Sequence, residues 1–180
     1  MSTAEHKEQT PQNLKIAIIT ISTSRYKKTP DANNPDVAED GSGKLMTQLV
    51  RDAGHTITTY TLLPDETEKI TNKIEKIEKA NIKPDLILIS GGTGITPQDN
   101  TIEATKPLFK KEIPGFGELF RQLSREEIGT ATILSRATAG ITKNNTIIFC
   151  LPGSPRGVQL ALTKIILPEA KHLTKHARGE

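Results

Sequence analysis

The stretch of sequence with the most evident chemical potential is a glycine-rich segment followed by a carboxylate. The apolar run Leu86–Ser90 leads into Gly91-Gly92-Thr93-Gly94, and Asp99 follows shortly after. A strand that feeds a glycine-rich turn, with a helical pattern from about Thr101, points backbone N–H groups and the positive end of a helix dipole at one place. Because glycine has no Cβ, the backbone there can approach a ligand closely. The pattern predicts an anion site beside the Asp99 carboxylate.

Three further segments follow a strand or begin a helix, and we expect them to join the same site. Open parallel sheets bind ligands at the carboxyl ends of their strands. The segments are Pro152-Gly153-Ser154 after the last core strand, Asp65 after the second strand, and Asp40-Gly41-Ser42-Gly43 at the start of the first long helix.

Carboxylates beside a phosphate site need a physical reason, since the two repel each other. Either a divalent cation such as Mg²⁺ bridges them, or the carboxylates accept hydrogen bonds from ribose hydroxyls or ring amino groups. Both alternatives describe a nucleotide or a phosphorylated heterocycle. Simpler interpretations stay open: Asp40 and Asp65 as helix caps, and the glycine segment as a tight connection. Gly43-Lys44 is not a P-loop, because Leu45 replaces the Ser or Thr that binds Mg²⁺.

The order of the elements predicts an α/β protein, a three-layer α/β/α sandwich with a mostly parallel sheet. We expect a flexible N-terminal tail at 1–13, a single domain at 14–170 and a C-terminal tail at 171–180. A long polar loop is expected at 22–39 and helical segments near 101–111 and 115–128. His172 and His176 have the spacing of a metal clip, but a fraying surface helix is the expected reason for it.

The composition restricts the class of ligand. Hydrophobic residues make up 34% of the 180 residues, mean hydropathy is −0.40, and no apolar run approaches the ~20 residues of a membrane span. Net charge is +3 and aromatic residues are 3%, without the basic stripe and stacking rings of nucleic-acid binders. We therefore expect a cytoplasmic protein that binds a small anion, with neither membrane nor nucleic acid as a partner. Cys150, the single cysteine, is expected in a core strand.

Several segments together resemble the MoaB/MogA family of molybdenum cofactor biosynthesis proteins, over roughly residues 14–170. The most specific are Ser90-Gly91-Gly92-Thr93-Gly94 with Asp99, and Leu151-Pro152-Gly153-Ser154. Pro114–Arg121, Ser135-Arg136-Ala137 and Ala139-Gly140 resemble the MoaB branch in particular. The resemblance implies the molybdopterin-binding fold.

The resemblance also implies an activity: Mg²⁺- and ATP-dependent adenylylation of molybdopterin, with release of pyrophosphate. The family's two acids match Asp65 and Asp99, either of which would hold a transient Mg²⁺, while Asp40, Ser42 and Gly43 join the glycine and Pro152–Ser154 segments in binding substrate. A homo-oligomer, trimer or hexamer, and a molybdate-insertion protein are the implied partners. The alternatives are a carrier that binds molybdopterin without chemistry, a nucleotide-processing enzyme on the same fold, and a purely structural unit.

Overall fold

The chain folds around one six-stranded sheet. The structure, a computed structural model, describes residues 13–179, so residues 1–12 of the predicted N-terminal tail lie outside the described residues. The strand order is β2-β1-β3-β6-β5-β4. The strands are β1 (Lys15–Ile21), β2 (Thr56–Leu63), β3 (Leu86–Ser90), β4 (Phe109–Glu112), β5 (Thr138–Thr142) and β6 (Ile147–Leu151).

Four strands are parallel and two are antiparallel. β1 pairs in parallel with β2 and β3, and β3 pairs in parallel with β6. β5 runs antiparallel to β6, and β4 antiparallel to β5. The carboxyl ends of β1, β3 and β6 therefore lie side by side, which brings together the loops that follow Ile21, Ser90 and Leu151.

Helices cover both faces of the sheet. They are α1 (Thr23–Lys28), α2 (Gly41–Asp52), α3 (Thr67–Glu78), α4 (Thr101–Thr105), α5 (Pro114–Ile128), α6 (Pro155–Ala161) and α7 (Leu167–Arg178). A π-helical turn, Leu162–Ile166, joins α6 to α7.

Each strand divides its side chains between two cores, because successive residues of a strand point to opposite faces. Ile16 and Ile18 of β1 pack into the core shared with α2, α5, α6 and α7, whereas Ala17 and Ile19 pack into the core shared with α3 and α4. The predicted three-layer α/β/α sandwich with a mostly parallel sheet is confirmed.

Two segments have a local structure that differs from the one predicted. The loop at 22–39 contains α1, whose N-cap Ser22 accepts a hydrogen bond from the Arg25 amide. The helix expected at 101–111 ends as α4 and a 3-10 turn, Lys106–Leu108, since Pro107 lacks the N–H that would continue it. The chain then forms the edge strand β4, in which Lys110 and Lys111 are exposed as is typical of protected edges.

Helical structure extends through most of the predicted C-terminal tail at 171–180. Helix α7 continues to Arg178, Ala170 and Thr174 on its inner face are buried, and Arg178 pairs with Asp85 at 2.6 Å. The last turns are stabilised by tertiary packing, which helical propensity does not report. Asp85 precedes β3, so this contact joins the end of the chain to the amino end of the sheet.

Candidate ligand-binding site

A cavity of about 840 Å³ opens beside the carboxyl ends of β1, β3 and β6. The two predicted loops form one wall, and the end of α5 with the turn that follows it forms the other. The lining includes Gly91, Gly92, Thr93, Gly94, Asp99, Phe120, Ile128, Leu134, Pro152, Gly153, Ser154, Arg156 and Leu160.

The glycine-rich loop has a backbone that requires glycine at two positions. Gly91 and Gly92 have φ of 99° and 63°, in the region that favours glycine. A Cβ on Gly91 would lie 2.2 Å from the carbonyl oxygen of Ile21. The sequence therefore uses glycine here for both conformation and close approach.

Hydrogen bonds join the glycine-rich loop to the loop after β6. The Gly91 amide donates to the Leu151 carbonyl at 3.1 Å, and the Ser90 hydroxyl donates to the Pro152 carbonyl at 3.3 Å. A Cβ on Gly153 would lie 3.3 Å from the Gly91 Cα, so the two loops are in contact. Ser90 thus lies buried beneath the cavity and positions the loops.

Two of the four backbone amides of the glycine-rich loop are already used within the protein. The N–H of Gly91 is used by Leu151, and the N–H of Gly94 donates to the Asp99 carboxylate. Among residues 13–179, the amides of Gly92 and Thr93 have no hydrogen-bond partner. These two line the cavity and are available to an anion.

Asp99 is held by its own loop with the carboxylate at the cavity wall. Its Oδ2 accepts hydrogen bonds from the Thr96 amide at 2.9 Å and the Thr96 hydroxyl at 2.6 Å. Desolvation raises the pKa of Asp99, but the Thr96 and Gly94 donors and the nearby Arg136 outweigh it, and the net pKa is lowered. Asp99 is therefore anionic at neutral pH.

Asp65 lies immediately behind the glycine loop. Its Oδ1 accepts from the Asn100 amide at 2.9 Å, and a Cβ on Gly92 would lie 2.3 Å from its Oδ2. Burial raises the pKa of Asp65, the Asn100 bonds oppose this shift, and the charge of Asp99 adds to it. Asp65 is not the cap of a helix, because the N-cap of α3 is Glu66.

Ser154 caps the helix at the other side of the cavity. Its hydroxyl accepts from the Gly157 amide at 3.2 Å, and Pro155 occupies the first helical position, where its missing N–H costs no hydrogen bond. Arg156 follows in the first turn, lines the cavity and is exposed.

In the predicted Asp40–Gly43 segment, Ser42 contacts a loop of the site, whereas Asp40 and Gly43 pack away from the cavity. The Ser42 hydroxyl donates to the Gly153 carbonyl at 2.7 Å, which holds the loop after β6 in place. Asp40 is 1% exposed and accepts from the Tyr60 hydroxyl at 2.8 Å. A Cβ on Gly43 would lie 2.2 Å from Asp40 Oδ2. Neither Asp40 nor Gly43 lines the cavity.

Arg136 is a site residue that the sequence reasoning missed. Its guanidinium donates to both carboxylate oxygens of Glu103, at 2.5 and 3.2 Å. It also donates to the backbone carbonyls of Thr93 at 3.4 Å and Asp99 at 3.3 Å. One side chain thus holds both ends of the loop that carries Asp99. The sequence contains Arg136 in Ser135-Arg136-Ala137, a segment that indicated only a resemblance to the MoaB branch and no role in the site.

The apolar wall was also missed. Phe120, Ile128, Leu134 and Leu160 line the cavity, of which Ile128 and Leu134 are 53% and 52% exposed. The helical spacing of apolar residues in α5 predicts a buried face, and it does not distinguish a core contact from a cavity wall.

Other chemistry-bearing groups lie away from the cavity or are inert. Cys150 is buried in β6 as predicted, and burial raises the pKa of its thiol to about 12. Within residues 13–179 there is no cluster of three or more metal-ligating side chains. No helix in the same part of the chain is long and apolar enough to cross a membrane.

The fold and the cavity define a class: an α/β protein with a cavity at the carboxyl edge of its parallel strands, lined by a glycine-rich loop and a carboxylate. A sequence profile described as a probable molybdopterin binding domain matches residues 17–172. Molybdenum cofactor biosynthesis protein B of Bacillus subtilis is 42% identical over 181 residues, covering 100% of this chain and 99% of that protein.

Solved structures agree with the sequence relatives. A crystal structure of a molybdenum cofactor biosynthesis protein B has a TM-score of 0.83 at 39% identity, covering 96% of this chain and 100% of that one. The tungsten cofactor synthesizing protein MoaB of Pyrococcus furiosus has a TM-score of 0.82 at 38% identity, covering 93% and 99%. The chain therefore belongs to the MoaB/MogA family of molybdenum cofactor biosynthesis proteins, with the molybdopterin-binding fold.

Proposed function

We propose that this protein adenylylates molybdopterin, using ATP and Mg²⁺ and releasing pyrophosphate. The observation that carries the proposal is the pair of aspartates against the glycine-rich loop: Asp65 behind Gly92 and Asp99 beside Gly94. Asp99 and the two unpartnered amides line the cavity and Asp65 lies behind Gly92, an arrangement that suits a phosphate-bearing ligand together with a hard cation.

The residues present fit Mg²⁺, since Asp65 and Asp99 offer the carboxylate oxygens that this cation prefers. When bound there, the ion would supply charge neutralisation for phosphate oxygens. The lowered pKa of Asp99, to which the Thr96 and Gly94 donors and the Arg136 charge contribute, favours this role because the carboxylate is ionised at neutral pH. Asp65, whose pKa is raised by burial, gains most from a positive charge nearby.

The remaining groups position the reactants. The amides of Gly92 and Thr93 hold a phosphate, Arg156 approaches it from the loop after β6, and the apolar wall receives a flat heterocycle. An oxygen of the pterin's terminal phosphate forms a bond to the α-phosphorus of ATP, and the bond from that phosphorus to the bridging oxygen breaks, so pyrophosphate leaves. Such transfers depend mainly on positioning and charge.

The test is pyrophosphate release by the full chain with molybdopterin, ATP and Mg²⁺. We expect release by the wild type, loss in Asp99→Asn and Asp65→Asn, and no change in Asp52→Asn, an exposed aspartate of α2. Molybdopterin binding is measured in parallel. Binding without release would favour the carrier alternative, and the absence of both would reject molybdopterin as the ligand.

We propose further that the protein is a homo-oligomer, a trimer or a hexamer, which passes its product to a molybdate-insertion protein. Four exposed apolar side chains of α5 and the turn after it support self-association: Leu119, Ile128, Ile133 and Leu134, at 41–81% exposed. Native mass spectrometry tests the state, and Ile133→Lys, at the most exposed of the four, should shift it toward monomer.

A further inference from the structure

Two histidines of α7 face each other across one helical turn. Sequence reasoning attributed the spacing of His172 and His176 to a fraying helix, but α7 is regular through both and ends at Arg178. Their Nε2 atoms are 2.9 Å apart, with ring centroids at 4.6 Å and ring planes at 68°. Residues four apart on a helix are surface neighbours, so the backbone itself brings these nitrogens together.

A carboxylate fixes the orientation of the first ring. His172 Nδ1 lies 3.3 Å from Glu169 Oε2. An ionised carboxylate only accepts hydrogen bonds, which assigns the proton of neutral His172 to Nδ1 and leaves a lone pair on Nε2. Metal-ligating histidines commonly have this arrangement, with the other ring nitrogen donating to a carboxylate.

The second ring completes the pair. In the metal-free protein, His176 Nε2–H donates to the lone pair of His172. His176 is exposed, so water can carry its proton from Nε2 to Nδ1. After that shift both Nε2 atoms carry a lone pair, and rotation of the exposed His176 ring lets both bond one ion, with no net change in protonation.

The separation of the nitrogens is close to the one that a metal with a right angle between two ligands requires. Two bonds of about 2.0–2.1 Å that meet at about 90° place their nitrogens about 2.9 Å apart, whereas a tetrahedral angle needs about 3.3–3.4 Å. A right angle between nitrogen ligands is typical of tetragonal Cu²⁺ and of Ni²⁺, and Cu²⁺ binds most tightly in the first-row series.

We propose that His172 and His176 form a binding site for a divalent transition metal, with Cu²⁺ the preferred ion and water in the other coordination positions. The site is separate from the cavity: along the helix, His172 lies about 18 Å from the cavity residue Leu160 at a rise of about 1.5 Å per residue. Bound metal would link two turns of α7 close to Arg178, which holds the end of the helix against Asp85.

The experiment titrates Cu²⁺ into the full chain at pH 7.5, followed by calorimetry and electron paramagnetic resonance. We expect one ion per chain with splitting from two imidazole nitrogens. His172→Gln and His176→Gln should each lose affinity by more than tenfold, and Glu169→Gln by about tenfold, as for other outer-shell carboxylates. His6→Gln serves as the matched control, since His6 lies outside the described residues, and it should leave binding unchanged.

The outcomes separate the proposal from incidental binding. Equal affinity in the wild type and both α7 variants would overturn it, as would loss of binding in His6→Gln alone. Metal should also raise the Tm of the wild type and not that of His176→Gln. Because His176 is exposed, that variant stays informative even where His172→Gln perturbs folding. None of these readouts depends on adenylylation.

Discussion

Two glycine-containing segments, Asp40–Gly43 and Ser90–Gly94, have similar composition and opposite roles. In each, a carboxylate oxygen occupies the place where a glycine Cβ would lie: Asp40 at 2.2 Å for Gly43, and Asp65 at 2.3 Å for Gly92. The first segment is closed by packing around Asp40, which is 1% exposed. The second borders a cavity of about 840 Å³.

The segments also differ in whether a carboxylate reaches the cavity, as Asp99 beside Gly94 does and Asp40 does not. The Tyr60 hydroxyl donates to Asp40, and burial together with the Asp40 charge raises the pKa of Tyr60, so the hydroxyl stays protonated as a donor. Asp99 instead receives donors from its own loop, all on the side of Thr96 and Gly94, and remains at the cavity wall. Asp99 therefore receives more donors than Asp40, and it is available to a ligand because it lines the cavity, whereas Asp40 is buried away from it.

The strongest test of this comparison is Gly92→Ala. The added Cβ would meet Asp65 Oδ2 and Thr101 Oγ1, each at 2.3 Å, with φ at +63°. Displacing Asp65 by about 1 Å should lower the rate of pyrophosphate release by at least about a hundredfold. Steady-state kinetics with and without excess Mg²⁺ measures the effect.

Gly43→Ala is the matched control for Gly92→Ala. Its Cβ would also overlap a carboxylate and lie 2.7 Å from a ring carbon of Tyr60, so overpacking should reduce stability by about 1–3 kcal/mol. The rate of the folded variant should be near that of the wild type. A similar rate loss in both variants would erase the distinction between the closed and the open segment.

A smaller loss is expected for Arg136→Gln, which removes the group that holds Thr93 and Asp99. The loop of Asp99 would lose two carbonyl contacts and the charge that helps lower the pKa of Asp99. Pyrophosphate release should fall between about ten- and a hundredfold, chiefly in kcat. Arg136→Lys should recover part of the rate, and an unchanged pH profile in Arg136→Gln would argue that the residue supports only the fold.

The next smaller effect is expected for Tyr60→Phe, which acts only on the closed segment Asp40–Gly43. Asp40 would lose its hydroxyl donor while staying buried, and an unsatisfied buried group costs about 1–3 kcal/mol. Urea unfolding should report that loss, with pyrophosphate release within about twofold of the wild type. A large drop in activity without a drop in stability would place Asp40 in the site after all.

The sequence predicted the edge of the sheet better than the details of the site. Runs such as Leu86–Ser90 and the cap Ser154-Pro155 are local signals, and they located the loops that line the cavity. The different environments of Asp40 and Asp65 could not be predicted from neighbouring residues in the sequence. Asp40 contacts Tyr60, whereas Asp65 contacts Gly92 and Asn100. Arg136 reaches Thr93 across 43 positions in the chain, a contact that no local pattern encodes.

The same limit applies at the C-terminus. The sequence predicts a tail at 171–180, where the structure has the last turns of α7. Buried Thr174 and the Arg178–Asp85 pair stabilise the helix from outside the segment. Long-range contacts decide such cases, as they decide which predicted carboxylates reach a ligand.

The smallest expected effect is on stability, in Asp65→Asn. Burial raises the pKa of Asp65, so the folded state holds an ionised carboxylate at a disadvantage at neutral pH. The amide keeps an acceptor for the Asn100 N–H and carries no charge, so the variant should be more stable by about 0.5–1 kcal/mol although inactive. The gain should be full above the raised folded pKa and vanish as pH falls below the ordinary value of 3.8, where Asp65 is protonated in both states. Urea unfolding at pH 7 and below pH 3.8 measures the two limits. A variant that is less stable at pH 7 would mean that Asp65 holds the loop together, rather than being held in place for the ligand.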